Sequence, residues 1–125
     1  MIEYCLFNYN RHSIAGTGAP GTGYIARYNV EMGTTMEHCF DMHGGSDRGD
    51  GTNIAGTYCE MYNNTFLFRK TDEYVYPYWL RGVPEDYQTF HHNICVERIT
   101  VFDPDRLSNE RATLNDNIFG GELIP

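Results

Sequence analysis

Apolar and polar residues alternate in three short segments that share one pattern, residues 14–18, 40–44 and 78–82. Each segment has mostly apolar residues at its first and third positions and glycine at its fifth. Alternation with a period of two is typical of a β-strand with one buried face. The terminal glycine indicates a bend, or a close approach of the backbone to a neighbour. The pattern therefore predicts three equivalent strands, each followed by a tight turn.

A second pattern is centred on asparagine. Five segments have the same shape, with Asn at the centre of four and Cys5 at the centre of the first. Successive centres are 24, 35, 29 and 24 residues apart. A minimum spacing in the twenties with a variable excess predicts structural repeats of constant size that carry loops of different length. The segments are residues 3–7, 27–31, 62–66, 91–95 and 115–119, and the Asn centres are Asn29, Asn64, Asn93 and Asn117.

Two strand registers that recur in phase predict a solenoid, in which stacking of the repeats buries the core. Asn residues at equivalent points can form a ladder of amide hydrogen bonds, which satisfies groups that cost ~1–3 kcal/mol each when buried unpaired. The alternative is that Asn simply favours turns. We predict one all-β domain over residues 1–125, a parallel β-helix of about four to five coils, with residues 98–111 as a polar loop excursion.

The strings Tyr62-Asn63-Asn64-Thr65-Phe66 and His91-His92-Asn93-Ile94 resemble coils of the right-handed parallel β-helix superfamily, which includes pectate lyases and alginate epimerases. The resemblance covers nearly the whole chain. It implies a right-handed parallel β-helix and an extracellular or cell-surface location. That superfamily also holds hydrolases and non-catalytic adhesins and fibres, so the resemblance predicts the fold better than the activity.

The composition of the chain limits its possible binding partners. Nine Lys and Arg against 17 Asp and Glu give a net charge of −8. This argues against nucleic acid and anionic membranes, both of which are bound through basic residues. The sequence shows no apolar run of membrane-spanning length and no signal peptide. The four cysteines lack CxxC spacing, so we expect free, buried thiols rather than a zinc site, with two disulfides as the alternative.

Residues 38–51 contain most of the candidate functional residues. In the shared strand register Asp41 lies beside Trp79 and Ala15, and His43 lies beside Arg81. If the neighbours of Asp41 in the chain face the core, Asp41 and His43 point outward on one face. A carboxylate, an imidazole, a guanidinium and an aromatic ring would then share one patch.

Such a patch suits an acidic sugar. Arg81 could bind a uronate carboxylate through two hydrogen bonds and so acidify the adjacent C–H. His43 could accept that proton, because imidazole titrates near neutral pH. Asp41 could orient the imidazole, and Trp79 could stack on a sugar ring. The alternative is that these residues form a structural ladder of ion pairs.

The string Phe40-Asp41-Met42-His43 is also similar to the Phe-Asp-Pro-His element of alginate epimerases. The resemblance implies catalytic roles for Asp41 and His43. Met42 stands where that element has Pro, and His38-Cys39 stands where Tyr-Gly precedes it.

Further candidates surround the patch. Arg48, His38 and His12 are predicted to bind substrate. Asp47 and Asp50 are weak metal candidates whose spacing fits no EF-hand loop, so we expect no metal and no cofactor.

Two functions follow from the sequence. The first is a β-helix protein that acts on or binds acidic polysaccharide by lyase or epimerase chemistry. The second is a non-catalytic structural module that assembles end to end through uncapped coils, giving a homo-oligomer, because neither end shows a capping helix. The other explanation of the uncapped ends is that the chain is a fragment of a longer β-helix.

Overall fold

The protein is all-β in the parts that the computed structural model describes, residues 1–67, 76–96 and 109–125. Most of the predicted polar excursion lies outside these residues. No helix within them is long and apolar enough to cross a membrane. The elements are β1 (Ile2–Glu3), β2 (Leu6–Phe7), β3 (Ile14–Gly16), β4 (Gly23–Arg27), β5 (Val30–Glu31), β6 (Phe40–Met42), α1 (Gly45–Arg48), β7 (Tyr58–Tyr62), β8 (Thr65–Phe66), β9 (Tyr78–Leu80), β10 (Tyr87–His91), β11 (Ile94–Cys95), β12 (Ala112–Asn115), β13 (Asn117–Phe119) and β14 (Glu122–Ile124).

The strands form three sheets, to which successive repeats contribute neighbouring strands. The first sheet has the order β1-β4-β7-β10-β12, the second β14-β13-β11-β8-β5-β2, and the third β3-β6-β9. Among the strands of the described residues, all pairs are parallel except β13 with β14, which is antiparallel and makes the second sheet mixed. The third sheet has the register predicted from the three glycine-ended segments.

The asparagine segments form the corner between the first two sheets, and their amides are hydrogen-bonded in series. The Nδ2 of Asn29 donates to Oδ1 of Asn64 at 3.0 Å, and Asn64 donates in the same way to Asn93 at 3.0 Å. Asn93 then donates to Asn117 at 3.1 Å. All four side chains are buried, so the prediction that these residues stack is confirmed.

The residue before each of these centres has a left-handed backbone. The φ angles are 56°, 54°, 53°, 53° and 55° for Tyr4, Tyr28, Asn63, His92 and Asp116. Such angles are uncommon outside glycine and cost roughly 1–2 kcal/mol each. The left-handed residue turns the chain sharply between two strands, and this directs the following Asn side chain into the interior.

The core consists of the inward residues of these short strands. In β7, for example, Cys59 and Met61 are buried and alternate with residues that reach the surface. Aromatic rings from different repeats pack on one another, with ring centroids 5.0 Å apart for Phe40 and Phe66 and 4.5 Å apart for Tyr78 and Phe90. Each ring contributes roughly 2–3 kcal/mol by leaving water.

The three predicted turn glycines are sites of close backbone approach. A Cβ on Gly18 would lie 1.6 Å from the carbonyl oxygen of His43, and one on Gly44 would lie 1.7 Å from that of Arg81. A Cβ on Gly82 would lie 2.5 Å from the carbonyl oxygen of Asn53. The residues that follow β3, β6 and β9 can therefore stack closely only because they carry no side chain.

The cysteines are free, as expected, and three of them belong to the core. Cys39, Cys59 and Cys95 are buried, and Cys5 is half-buried. Burial raises the pKa of the Cys59 thiol to about 12. These thiols serve as small apolar side chains.

Candidate functional site

The third sheet brings the predicted patch together. Asp41 in β6 pairs with Trp79 in β9 on one side and with Ala15 in β3 on the other, which confirms the predicted register. His43 follows β6 and Arg81 follows β9. The short parallel strands thus fix the relative positions of Asp41, His43, Trp79 and Arg81.

Asp41 is the centre of the patch. Its Oδ2 lies 3.0 Å from Nε2 of His43, 3.3 Å from Nε2 of His38 and 3.3 Å from Nη1 of Arg81. The carboxylate is fully buried beneath these groups, whereas the sequence pattern suggested an outward, open position. Its other oxygen, Oδ1, is also buried and has no hydrogen-bond partner among the described residues.

Arg81 is held between two carboxylates. Besides Asp41, it binds Asp47 through two parallel hydrogen bonds, of which the bond from Nε to Oδ2 measures 2.9 Å. The Arg81 guanidinium lowers the pKa of Asp47, and the hydrogen bond to Asp47 raises the pKa of Arg81. Both side chains are partly exposed, at 23% for Arg81 and 25% for Asp47.

A second group of residues adjoins Asp41 on the side of His38. The Nδ1 of His12 lies 2.9 Å from the carbonyl oxygen of His38, and the two imidazole centroids are 4.4 Å apart. The Nε2 of His12 lies 3.4 Å from Oε2 of Glu37. A hydrogen bond from Arg11 lowers the pKa of Glu37, which keeps this carboxylate charged.

A cleft of about 410 Å³ opens beside these histidines. The Trp79 ring packs against His38 at 5.7 Å and against Tyr76 at 4.9 Å between centroids. Trp79 and His38 were predicted from the sequence, whereas Glu37 and Tyr76, which precede their strands by three and two residues, were not. The lining residues are Met36, Glu37, His38, Tyr76 and Trp79.

Arg48 and Asp50 do not join the patch. Arg48 donates to the carbonyl oxygens of Thr17, His43 and Ile54, and its Nε binds Asp50 at 2.8 Å. Hydrogen bonds from Thr52 and Arg48 lower the pKa of Asp50 to about 2. This arginine therefore holds the loop after β6 in place.

The metal candidates are also separated. Asp47 binds Arg81, whereas Asp50 binds Arg48, so the two carboxylates do not form one site. The described residues bring together a different set of metal-binding atoms, from His12, His38 and Asp41, all within 4.8 Å of one another.

Comparisons with known proteins found no protein family, no curated protein and no solved structure that matches this chain. The all-β fold and the geometry of the patch therefore carry the functional argument.

Proposed function

We propose that the protein is a right-handed parallel β-helix that binds acidic polysaccharide in the cleft beside Trp79 and abstracts a proton from a uronate residue, as a lyase or an epimerase does. His43 is the general base, Asp41 orients it, and Arg81 binds the uronate carboxylate. His38 and His12 line the approach, and Trp79 and Tyr76 stack on the sugar ring.

The order of the three sheets supports the fold. Each repeat contributes one strand to each of the first two sheets, and the strand order follows the chain order. The amides of Asn29, Asn64, Asn93 and Asn117 pair directly across repeats that are 35, 29 and 24 residues long. These features are what a coiled path with loops of variable length requires.

The observation that carries the proposed activity is the contact between His43 and Asp41. A carboxylate only accepts hydrogen bonds, so the proton of a neutral His43 ring belongs on Nε2, 3.0 Å from Asp41. The other ring nitrogen, Nδ1, then carries the lone pair. Because 38% of the His43 side chain is exposed, a substrate can reach this base. An imidazole oriented by a buried carboxylate is a common form of general base.

Arg81 needs a free hydrogen-bonding edge to bind a uronate. Arg81 has two carboxylate partners, of which Asp41 is buried and Asp47 is exposed. We assign the uronate to the Nε and Nη2 edge of the guanidinium, which binds Asp47. In the proposed complex the substrate carboxylate replaces Asp47 there, since both groups offer the same pair of oxygens. The Asp41 contact is kept, so the base stays oriented during the exchange.

Proton exchange tests the proposal. The protein is incubated in D₂O with alginate, polygalacturonate and a neutral mannan, and loss of the proton next to the carboxylate is followed by NMR. We expect this proton to exchange on a polyuronate, and a lyase would in addition give an unsaturated product. His43→Ala should reduce its rate by roughly 10²–10⁴-fold. His92→Ala, which alters an exposed histidine elsewhere, should leave the rate unchanged.

Two variants separate turnover from binding. Asp47→Asn should bind polyuronate more tightly, because it frees the guanidinium, whereas Arg81→Ala should abolish binding. Exchange that persists in His43→Ala would refute the assignment of the base. Polyuronate binding without exchange in the wild type would leave carbohydrate binding as the function. Absence of both would overturn the proposal.

Assembly through open strand edges is the alternative function. The antiparallel strand β14 covers the edge of β13 and is itself the edge strand at this end of the second sheet, so another copy would meet an antiparallel strand there rather than a further parallel one. Light scattering over a concentration series separates the two proposals. A mass that rises with concentration would favour assembly, and a constant monomer mass would exclude it.

A further inference from the structure

The contacts of His12 fix which of its nitrogens carries the proton. Its Nδ1 lies 2.9 Å from the carbonyl oxygen of His38, which can only accept a hydrogen bond. A neutral His12 ring therefore has its proton on Nδ1 and its lone pair on Nε2. An imidazole anchored by such a backbone hydrogen bond is the usual state of a metal-binding histidine.

The lone pair of His12 faces another acceptor. Its Nε2 lies 3.4 Å from Oε2 of Glu37, and a carboxylate oxygen accepts hydrogen bonds. Two acceptors repel each other unless a cation lies between or beside them. A proton on His12 or a metal ion would remove the repulsion.

His38 presents a second nitrogen to the same place. Its Nε2 lies 3.3 Å from Oδ2 of Asp41 and 3.4 Å from Nη1 of Arg81. With the ring proton on Nδ1, this nitrogen and the Asp41 carboxylate are two neighbouring acceptors that a cation can bridge. The side chains of His12 and His38 are 12% and 11% exposed, and their rings are in contact. Both imidazoles are thus held in place with little contact with water.

Asp41 supplies the third group. Its Oδ2 is shared by His43, His38 and Arg81, whereas its buried Oδ1 has no partner among the described residues. A buried carboxylate oxygen without a partner is costly, on the order of 1–3 kcal/mol. A cation at Oδ1 would satisfy it and leave the Arg81 contact intact.

We infer that His12, His38 and Asp41 form a binding site for a transition-metal dication of the Zn²⁺ type. Two imidazole nitrogens and one carboxylate oxygen suit such metals, whereas Ca²⁺ and Mg²⁺ prefer oxygen ligands alone. One nitrogen of each imidazole and one carboxylate oxygen of Asp41 lie within 4.8 Å of one another. Ligands on one Zn²⁺ are at most about 4.2 Å apart, so small side-chain rotations would close the site.

The position of the site leaves room for further ligands. His38 and Glu37 also line the cleft of about 410 Å³, so a bound metal would be accessible to water or to a small anionic ligand. Three protein ligands with an open position characterise catalytic zinc sites rather than structural ones. This inference does not rest on the proposed polysaccharide activity, and its test uses no sugar.

Calorimetry tests the inference on the full chain after treatment with a chelator. One Zn²⁺ per chain should bind, at least about 100-fold more tightly than Ca²⁺ or Mg²⁺. His12→Gln and His38→Gln should each weaken Zn²⁺ binding by at least about 100-fold, since even the loss of an outer hydrogen-bond partner costs 10–100-fold. His92→Gln, the same change at an exposed histidine, should bind like the wild type.

A spectroscopic measurement on the wild type avoids any effect of the variants on folding. Zn²⁺ should shift the NMR signals of His12 and His38 and leave those of His91 and His92 unchanged, and Co²⁺ should give visible absorption without the near-ultraviolet band of a thiolate ligand. Less than one equivalent of bound Zn²⁺, or unchanged binding in both His→Gln variants, would overturn the site. A thiolate band would assign the metal to a cysteine instead.

Discussion

Asn64 contacts Asn93 twice through one oxygen atom. Both its backbone N and its Nδ2 donate to Oδ1 of Asn93, at 2.9 and 3.0 Å. The second Nδ2 proton of Asn64 goes to the carbonyl oxygen of Ala26 at 2.9 Å, so the buried amide has partners for both its donors. Because Asn29 repeats the same contact on Asn64, the register of neighbouring repeats is fixed by side chains as well as by strands.

Truncation of this residue should be severely destabilising. Asn64→Ala would remove the shared acceptor of the two Asn29 donors and the Nδ2 donor to Ala26, and would leave Oδ1 of Asn93 with only the backbone N of residue 64, so we expect a loss of at least about 3 kcal/mol in the free energy of unfolding. Urea denaturation of the variant and the wild type measures this loss. Asn53→Ala changes an exposed asparagine and should stay within about 0.5 kcal/mol. Equal effects of the two substitutions would contradict the role of the buried amides.

The strand registers could be predicted because they depend on patterns local to each repeat. The period-two alternation located β3, β6 and β9, and the spacing of Asn29 to Asn117 located the corner between the other two sheets. The left-handed corner residues escaped prediction. Tyr, Asn, His and Asp occupy the position, so no residue type marks it, and only the backbone reveals what the copies share.

The left-handed corner at His92 gives a second prediction. With φ at 53°, glycine should be tolerated there or stabilise the fold by up to about 1 kcal/mol. His92→Val should instead destabilise it by roughly 1–2 kcal/mol, because a β-branched side chain disfavours this conformation. At Thr113, an exposed position in strand β12, the Val variant should instead be more stable than the Gly variant, because Val suits a strand and Gly weakens it. Thermal unfolding of the four variants compares the two sites.

The candidate site was predictable only in part, for reasons of chain geometry. Asp41, Trp79 and Arg81 come together through strand register, which the sequence encodes locally. The pairing of Arg81 with Asp47 depends on how the loop after β6 folds back, and no spacing rule predicts that. Arg48 was expected to bind substrate, but backbone carbonyl oxygens compete for the same donors and are invisible in a sequence.

The burial of the thiols predicts their reactivity. The attacking species is the thiolate, and burial raises the pKa of Cys39, Cys59 and Cys95. In native protein we expect only the half-buried Cys5 to react with a disulfide reagent within minutes, and all four thiols to react in denaturant. Cys5→Ser should abolish the native reaction. Rapid modification of two or more thiols in the folded protein would contradict this burial.

Glu31 is a buried carboxylate outside the candidate site. Its side chain is 1% exposed, and Oε2 accepts a hydrogen bond from the backbone N of Gly33 at 2.8 Å. Burial raises its pKa above the ordinary 4.5, although this and neighbouring backbone hydrogen bonds oppose the shift. The folded protein therefore holds this proton to a higher pH than the unfolded chain does.

Replacement of this group should change how stability depends on pH. Between pH 4.5 and the raised pKa of folded Glu31, the native state binds more protons than the unfolded state, so this residue lowers stability as pH rises. Glu31→Gln removes that loss, because the amide keeps an oxygen for Gly33 and carries no charge. We expect the variant to gain stability relative to the wild type as pH rises from 4.5 to 7, measured by urea unfolding at several pH values. Glu110→Gln, at an exposed position, should show no such trend. A difference between Glu31→Gln and the wild type that stays constant or shrinks with rising pH would mean that Glu31 is ionised as readily in the folded protein as in the unfolded chain.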